Sequence, residues 1–304
     1  MAQREVHGHG HGHGHAQALG HVLARLARAD AAPWLHQEVA RRMAERLPVI
    51  KQAPESWLDW WAFTGAGAQP VQAVWPQARR CVVEPTVALA ERSRQGLQAP
   101  WWAWGQRRQE ARQPVWLESE VPAGGAQMLW SNLTLHAGAR PEVTLAAWHR
   151  ALAVDGFLMF STFGPDTLRE LRALYAELAW PAPHPPYADM HDVGDWLVHS
   201  GFADPVMDQE MLQLTWSSAE ALLAELRSLG GHLGVGRWPG LRTPRWRDRL
   251  LQALAQRADG HGRIHMSFEL VYGHAYKSAP RPARGGPVTV SLESLRATLP
   301  KRHT

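Results

Sequence analysis

The residues with the clearest chemical meaning lie in segment 58–67, whose sequence is Leu-Asp-Trp-Trp-Ala-Phe-Thr-Gly-Ala-Gly. In an α/β domain that binds a nucleotide, the first strand ends in a turn whose glycines let the backbone approach the ligand, because a Cβ atom would block the contact. Two positions of this turn that call for glycine hold Trp61 and Phe63. The sequence therefore predicts the fold of a cofactor-dependent enzyme with an altered cofactor turn.

A second group with chemical potential is a set of histidines that alternate with glycine near the N-terminus. Neutral imidazoles can bind Ni²⁺, Cu²⁺ or Zn²⁺, but the glycine spacing favours flexibility over a fixed ligand geometry. Residues 1–16 are therefore interpreted as a flexible His/Gly-rich tail, in which metal binding would be adventitious. The histidines are His7, His9, His11, His13 and His15.

The turn at 58–67 must be positioned by the surrounding secondary structure, which the sequence predicts as alternating strands and helices. The 304 residues, 45% of them hydrophobic, suffice for one large α/β domain with an inserted subdomain. This alternation predicts a mainly parallel sheet with helices on both faces. Strands are predicted at 56–59, 79–84, 114–118, 127–131, 156–162, 205–214 and 265–272. Helices are predicted at 39–47, 69–75, 86–94 and 142–153.

A long helical segment, 217–258, separates the last two predicted strands. It is a candidate lid over the carboxyl edge of the sheet, where ligands bind in such folds. The domain is predicted to span residues 17–277, and the Pro/Gly-rich segment 278–304 is interpreted as a C-terminal tail.

Composition argues against several classes of partner. The net charge is +4 and comes from arginines that alternate with acidic residues along helices, without any nucleic-acid-binding motif, so no nucleic-acid partner is expected. No apolar run of about 18 residues and no secretory signal occurs, so we expect a cytoplasmic protein without a membrane partner. Cys81 is the single cysteine, which excludes an intrachain disulfide.

Several segments of the second half match the sequence of one protein family. They are Leu-Trp-Ser-Asn-Leu-Thr-Leu-His at 129–136, Trp-His-Arg-Ala-Leu at 148–152, and Gly-Phe-Leu-Met-Phe-Ser-Thr-Phe-Gly-Pro-Asp-Thr-Leu at 156–168. His-Asp-Val-Gly-Asp at 191–195, Ser-Gly-Phe-Ala-Asp-Pro at 200–205 and Phe-Glu-Leu-Val-Tyr-Gly-His-Ala-Tyr-Lys at 268–277 continue it. Through these residues the chain resembles a class I S-adenosylmethionine-dependent methyltransferase, and more narrowly the malonyl-acyl-carrier-protein O-methyltransferase family of biotin synthesis.

This resemblance covers about residues 36–277 and is poor between 60 and 125. It implies a Rossmann-like methyltransferase fold, with a seven-stranded, mainly parallel sheet, helices on both faces and a helical lid inserted before the last strand. It also implies S-adenosyl-L-methionine as the cofactor.

The family's cofactor loop has the pattern Asp-x-Gly-x-Gly-x-Gly. By the resemblance, its four defined positions fall on Asp59, Trp61, Phe63 and Gly65, so only the first and last match. The two aromatic residues occupy space that the cofactor needs. A shift of the loop by a residue or two would let Gly65-Ala66-Gly67 form a shorter turn instead.

The resemblance assigns further cofactor contacts to residues at strand ends. Glu84, which ends the second strand, would accept hydrogen bonds from the ribose hydroxyls. The acidic residue near the adenine, after the third strand, would be Glu118 or Glu120. Asn132, after the fourth strand, would face the methionine end.

The implied reaction is O-methylation of a carboxylate on an acyl-carrier protein, such as a malonyl group. That carboxylate is already ionised near neutral pH and needs no strong base, so catalysis would consist mainly of alignment. Arg237, in the lid, is the candidate for holding the carboxylate with its planar guanidinium. A surface role for Arg237 in its Gly-rich loop remains open.

Two alternatives to methyl transfer remain open at this point. The chain could be a catalytically silent relative that serves as a binding or regulatory partner, with its Trp-rich half replacing the cofactor surface. It could also use the fold for another reaction, as the similar hydroxylase that assists respiratory complex I assembly does.

Overall fold

The computed structural model of this chain describes residues 8–97, 113–138, 140–230 and 242–279. Its centre is a seven-stranded sheet in the order β3-β2-β1-β4-β5-β7-β6. All neighbouring strands are parallel except that β7 runs antiparallel to both β5 and β6. The strands are β1 (Ser56–Trp60), β2 (Arg79–Glu84), β3 (Val115–Leu117), β4 (Ala126–Asn132), β5 (Leu152–Phe163), β6 (Ala203–Trp216) and β7 (Ile264–Tyr276).

Helices pack on both faces of this sheet, so the predicted fold class is confirmed. In chain order they are α1 (Gly8–Leu26), α2 (Trp34–Ala44), α3 (Ala62–Gly65), α4 (Ala68–Val74), α5 (Val87–Gly96), α6 (Pro141–Ala151), α7 (Arg169–Glu177), α8 (Met190–His199), α9 (Ala219–Ser228) and α10 (Pro244–Ala255). Of these, α3 is a single turn directly after β1.

The central strands are hydrophobic on both faces because helices cover both. All five residues of β1 are buried. Since side chains alternate along a strand, Trp57 joins the core on the α2 side, together with Trp130 of β4, whereas Trp60 packs on the opposite face with Trp148 of α6. All four of these indoles are thus used as core, as expected for large buried aromatic residues.

The order of the strands fixes where a ligand would bind. It reverses between β1 and β4, and in doubly wound sheets the crevice at the carboxyl ends of the strands on either side of such a reversal is the ligand site. The turn after β1 and the residues that end β2 and β4 all meet at this edge.

The helical segment predicted at 217–258 is divided into α9 and α10. Ser218 caps the first of these helices and Thr243 caps the second, with Pro244 as its first residue. Residues 231–241, which include Arg237, lie outside the described residues.

At the N-terminus, α1 begins at Gly8, within the segment that the sequence assigns to a flexible tail. The second half of α1 is rich in alanine and leucine, which favour helix, and it contributes the buried side chains Ala18, Leu23 and Leu26. The boundary between tail and domain stays a prediction. None of the helices described is long and apolar enough to cross a membrane.

Of the described glycines, Gly273 leaves the least space for an added Cβ atom, so its replacement tests the packing of the sheet. It lies opposite Phe160 in the register of β5 and β7, and a Cβ atom there would lie 2.1 Å from the phenylalanine ring. We expect Gly273→Ala to lower the free energy of unfolding by about 1–3 kcal/mol through overpacking, measured by urea denaturation. Gly96→Ala is the control, because a Cβ atom there meets no atom within 4 Å; equal effects of the two variants would contradict this account.

Candidate functional site

The turn after β1 keeps a glycine-like backbone although it holds aromatic residues. Trp61 has φ 56° and ψ 53°, and Ala66, at the other end of α3, has φ 51°. This left-handed region suits glycine, and occupying it costs another residue about 1–2 kcal/mol. The turn is therefore strained at Trp61, and other contacts must stabilise it.

The indole of Trp61 reaches across the edge of the sheet. Its Nε1 donates to Oε1 of Glu118, just after β3, at 2.7 Å, and Nε1 of Trp60 donates to the same oxygen at 2.9 Å. Because β2 lies between β1 and β3, these hydrogen bonds cross the carboxyl end of β2. Glu118 thus receives its donors from the chain itself, while Glu120 accepts from the backbone N–H of Leu117 at 2.9 Å.

The carboxylate that ends β2 is also engaged internally. Oε1 of Glu84 accepts from the backbone N–H of Phe63 at 2.8 Å and from Oγ of Ser93 at 2.6 Å, and the side chain is fully buried. Among the described residues, Oε2 of Glu84 has no hydrogen-bond partner. Burial raises the pKa of Glu84 to about 7, against the opposing effect of the two hydrogen bonds.

The side chain of Phe63 packs on an arginine of α5. Its ring lies under the guanidinium of Arg92, whose Cζ is 4.2 Å from the ring centroid. Arg92 is itself anchored, since it donates to the backbone oxygens of Ala27 and Asp30 at 3.0 and 3.1 Å.

Asp59 is fully buried and paired with an arginine of the neighbouring strand. Its Oδ2 accepts from Nε and Nη2 of Arg80 at 2.8 and 2.6 Å. Burial raises the pKa of Asp59 above its usual value, and Arg80 opposes this shift.

Gly67 packs against Asp59, because a Cβ atom there would lie 2.9 Å from Oδ1 of Asp59 and 2.5 Å from Nε1 of Trp130. At Gly65, in contrast, a Cβ atom would come no closer than 3.4 Å to another atom.

Asn132 connects the turn to two other elements. Its Nδ2 donates to the backbone oxygens of His36 in α2 and of Gly65, each at 2.8 Å, and its Oδ1 accepts from Oγ of Ser161 in β5 at 2.7 Å. Nδ1 of His36 donates to the backbone oxygen of Thr64 at 2.9 Å, which fastens α2 to the turn a second time. Burial lowers the pKa of His36 to about 4, so this imidazole is neutral near pH 7.

The other predicted ligand residues lie apart from this edge or outside the description. His7 and Arg237 are outside the described residues, as are the side chains of His9, His11 and His13. His15 is described, and its Nε2 contacts the backbone oxygen of Ala137 at 2.8 Å. Within the described ranges, no group of three or more histidine, cysteine, aspartate or glutamate side chains could hold a metal ion.

A cavity of about 140 Å³ lies beside the turn, beneath α1 and α9, and we call it the α1 cavity. Its wall includes Trp61 and Phe163 as well as His136, whose pKa burial lowers to about 3. α1 was not predicted to line this site. The signal was available, because apolar residues recur at helical spacing. They are Leu19, Val22, Leu23 and Leu26.

The structure thus brings four predicted cofactor residues, Asp59, Gly65, Glu84 and Asn132, to the carboxyl ends of β1, β2 and β4. Their roles toward a cofactor stay predictions. In this arrangement the residues do not fit an S-adenosyl group, because the Glu84 carboxylate is buried and bonded to the backbone N–H of Phe63, and the Trp61 indole lies across the same edge.

Glu84 predicts a pH-dependent stability. Its folded pKa of about 7 lies above its ordinary value of 4.5, so the folded state binds the proton more tightly and this contribution to stability is lost as pH rises from about 4.5 to 7. We expect Glu84→Gln to gain stability relative to the natural chain over this range, by about 3 kcal/mol at most. Chemical denaturation across the pH range measures this, with Glu91→Gln on the exposed face of α5 as control. A difference that does not change with pH would contradict the assignment.

The buried ion pair gives a second prediction. Arg80→Met leaves Asp59 buried without a cation, and we expect a loss of about 3–5 kcal/mol in the free energy of unfolding. The double variant Asp59→Asn/Arg80→Met should recover much of that loss. Arg79→Met, on the exposed residue before Arg80, is the matched control. A loss from Arg80→Met no larger than that of the control would show that the pair does not stabilise the fold.

Comparisons with known proteins agree on fold and family. No protein-family model matches the chain. The solved structure of a Bacillus halodurans C-125 protein, named as a candidate methyltransferase, superposes with a TM-score of 0.51 at 12% identity and covers 79% of this chain and 99% of that one, which supports the fold alone.

Whole-length sequence relatives identify the family. The malonyl-[acyl-carrier protein] O-methyltransferase of Laribacter hongkongensis is 38% identical over 266 residues, which are 85% of this chain and 88% of that protein. The enzymes of the same name from Gallionella capsiferriformans and Nitrosospira multiformis are 36% and 34% identical, over 89% and 83% of this chain and 93% and 85% of their own lengths. The chain therefore belongs to the malonyl-[acyl-carrier protein] O-methyltransferase family.

Proposed function

We propose that this chain O-methylates a carboxylate carried by an acyl-carrier protein, such as a malonyl group, in cytoplasmic biotin synthesis, with S-adenosyl-L-methionine as methyl donor. The observation that carries the proposal is the 38% identity to a named malonyl-[acyl-carrier protein] O-methyltransferase over 85% of this chain and 88% of that relative. Because the alignment spans nearly the whole relative, it includes the sheet and the helical insertion before β7.

The α1 cavity is the candidate acceptor site. It adjoins the ligand crevice at the carboxyl ends of β1 and β4, and its described wall is mostly apolar and aromatic. Such a wall can position an acyl chain by shape and exclude water from the reacting carboxylate. Since a malonyl carboxylate is ionised near neutral pH, the site needs to orient this group rather than deprotonate it.

A carboxylate in this cavity requires a cation. Among its described wall residues there is no lysine or arginine, and a buried carboxylate without a partner is strongly unfavourable. We therefore propose that Arg237, in the segment between α9 and α10, supplies the charge through a two-point contact.

The outer face of α10 is the candidate contact for the carrier protein. Arg245, Arg247 and Arg249 are exposed on this helix, with Asp248 as the acidic residue among them. Their positive charge would attract an acidic carrier and raise its association rate, in a salt-dependent manner.

Methyl transfer from labelled S-adenosylmethionine to malonyl-acyl-carrier protein tests this function. We expect label in the ester product, and none with an acetyl carrier, which has no free carboxylate. Arg237→Ala should raise KM for the malonyl carrier by about ten-fold or more, as for the loss of one charge-assisted contact. The Laribacter hongkongensis relative serves as the assay control. No transfer by this chain under conditions in which the relative is active would overturn the proposal.

One observation favours a second candidate function. The hydrogen bonds of Trp61 and Phe63 engage Glu84, which the family resemblance assigns to the ribose, and Glu118, one of its two candidates near the adenine. On this ground the chain would be a catalytically silent family member that binds a partner. The two candidates differ in one measurable respect, since the silent member would bind neither S-adenosylmethionine nor S-adenosylhomocysteine at millimolar concentration.

A further inference from the structure

We infer that Trp61 is an internal plug of the nucleoside part of the ligand crevice, so that a nucleoside ligand and the observed position of its indole exclude each other. The inference rests on the proposed function only in assigning this crevice to an S-adenosyl ligand. Removal of the Trp61 side chain is therefore expected to open a binding site for a nucleoside.

The first observation is the position of the indole. Trp61 stands at the carboxyl end of β1, a strand that borders the reversal of strand order, and its hydrogen bond to Glu118 extends to the carboxyl end of β3. A nucleoside in a doubly wound sheet lies along this same edge. The indole is flat and aromatic and has an N–H donor on its edge, as adenine has at its amino group, and this donor bonds an acidic residue after β3.

The second observation is that one short segment donates to one oxygen of each of two acidic residues, Glu118 and Glu84. Residues 60–63 provide three of the four donors: two indole N–H groups to Oε1 of Glu118, and the backbone N–H of Phe63 to Oε1 of Glu84. Ribose hydroxyls and an adenine amino group would need these same acceptors. A displacement of the turn would remove one donor from each of Glu118 and Glu84, whereas in the observed position the turn occupies an oxygen of both carboxylates.

The third observation is the backbone of Trp61. Its left-handed conformation is the one that glycine adopts without strain, so the turn retains the shape of a glycine turn with an added side chain. Trp61→Gly is therefore compatible with the observed backbone and removes the indole without requiring the turn to refold.

Helix α1 holds the plug in place. Trp61 packs with Leu19 and Val22 of α1 around the buried contact between Ala18 and Ala137. The helix is fixed at both ends of this contact, since His15 bonds the backbone oxygen of Ala137 and Arg25 donates to that of Gly230. The Trp61 side chain is thus packed against α1 and hydrogen-bonded to Glu118.

Calorimetric titration of the full chain with S-adenosylhomocysteine tests the plug without any methyl acceptor. We expect Trp61→Gly to bind at least about ten-fold more tightly than the natural chain, and Trp61→Gly/Phe63→Gly more tightly still. Trp34→Ala, which removes an indole that is half exposed on α2, is the matched control and should leave the affinity unchanged. Trp61→Phe keeps the ring and removes the N–H donor, and should give an intermediate affinity; it also serves if the glycine variant does not fold.

Two results would overturn the inference. One is equal binding by the natural chain and the Trp61 variants, and the other is no binding by either up to millimolar ligand although the variants are folded by circular dichroism. The proposed function fails separately: if Trp61→Gly binds the ligand but transfers no methyl group to malonyl-acyl-carrier protein, the plug stands and the function does not. If the natural chain binds as tightly as the variants and is active, the function stands and the plug does not.

Discussion

The carboxyl edge of this sheet is built on the requirement that buried polar groups be hydrogen-bonded. A buried carboxylate or amide without a partner is costly, and this edge contains several. Asn132 satisfies the requirement by joining α2, the turn after β1 and β5. Glu84 and Glu118 each satisfy it at one oxygen, Oε1, with donors from the turn itself. The turn, its strained Trp61 and the α1 helix above it are held in place by these contacts.

This explains how the family fold is retained although its cofactor turn is altered. The acidic residues at the ends of β2 and β3 are still buried or partly buried, so their carboxylates still need donors. Indole and backbone N–H groups of residues 60–63 provide them. The carboxylate oxygens can therefore accept hydrogen bonds either from a ligand or from the chain itself. Trp61 and Phe63, in place of glycine, favour the bonds within the chain. Asp59 is likewise engaged by a group of the chain itself, because Arg80 of the neighbouring strand forms an ion pair with it.

Most of the fold could be predicted from the sequence because the strands are short apolar runs bounded by turns. β2 was predicted with its observed ends, 79–84, and β1 and β4 to within one residue at each end. β5, β6 and β7 extend further than predicted. β5 begins at Leu152, which pairs with Ala126 of β4, and β6 pairs with β7 through residues that alternate between exposed and half-buried positions. In the helical segment 217–258, Gly230-Gly231 was predicted to stop the first helix, but the start of the second was not predicted, although Thr243 and Pro244 are a recognisable helix start.

The sequence by itself determined the sheet, the family and the place of the altered turn, since each depends on local periodicity or on residues that are adjacent in the chain. Only the tertiary structure decided what the turn does. Glu118 lies 57 residues from Trp61, and whether the two meet depends on how β1, β2 and β3 are ordered in the sheet. The covering of Trp61 by α1 likewise depends on packing between distant segments. Such contacts are set by the shape of the assembled core, which no local pattern of residues encodes.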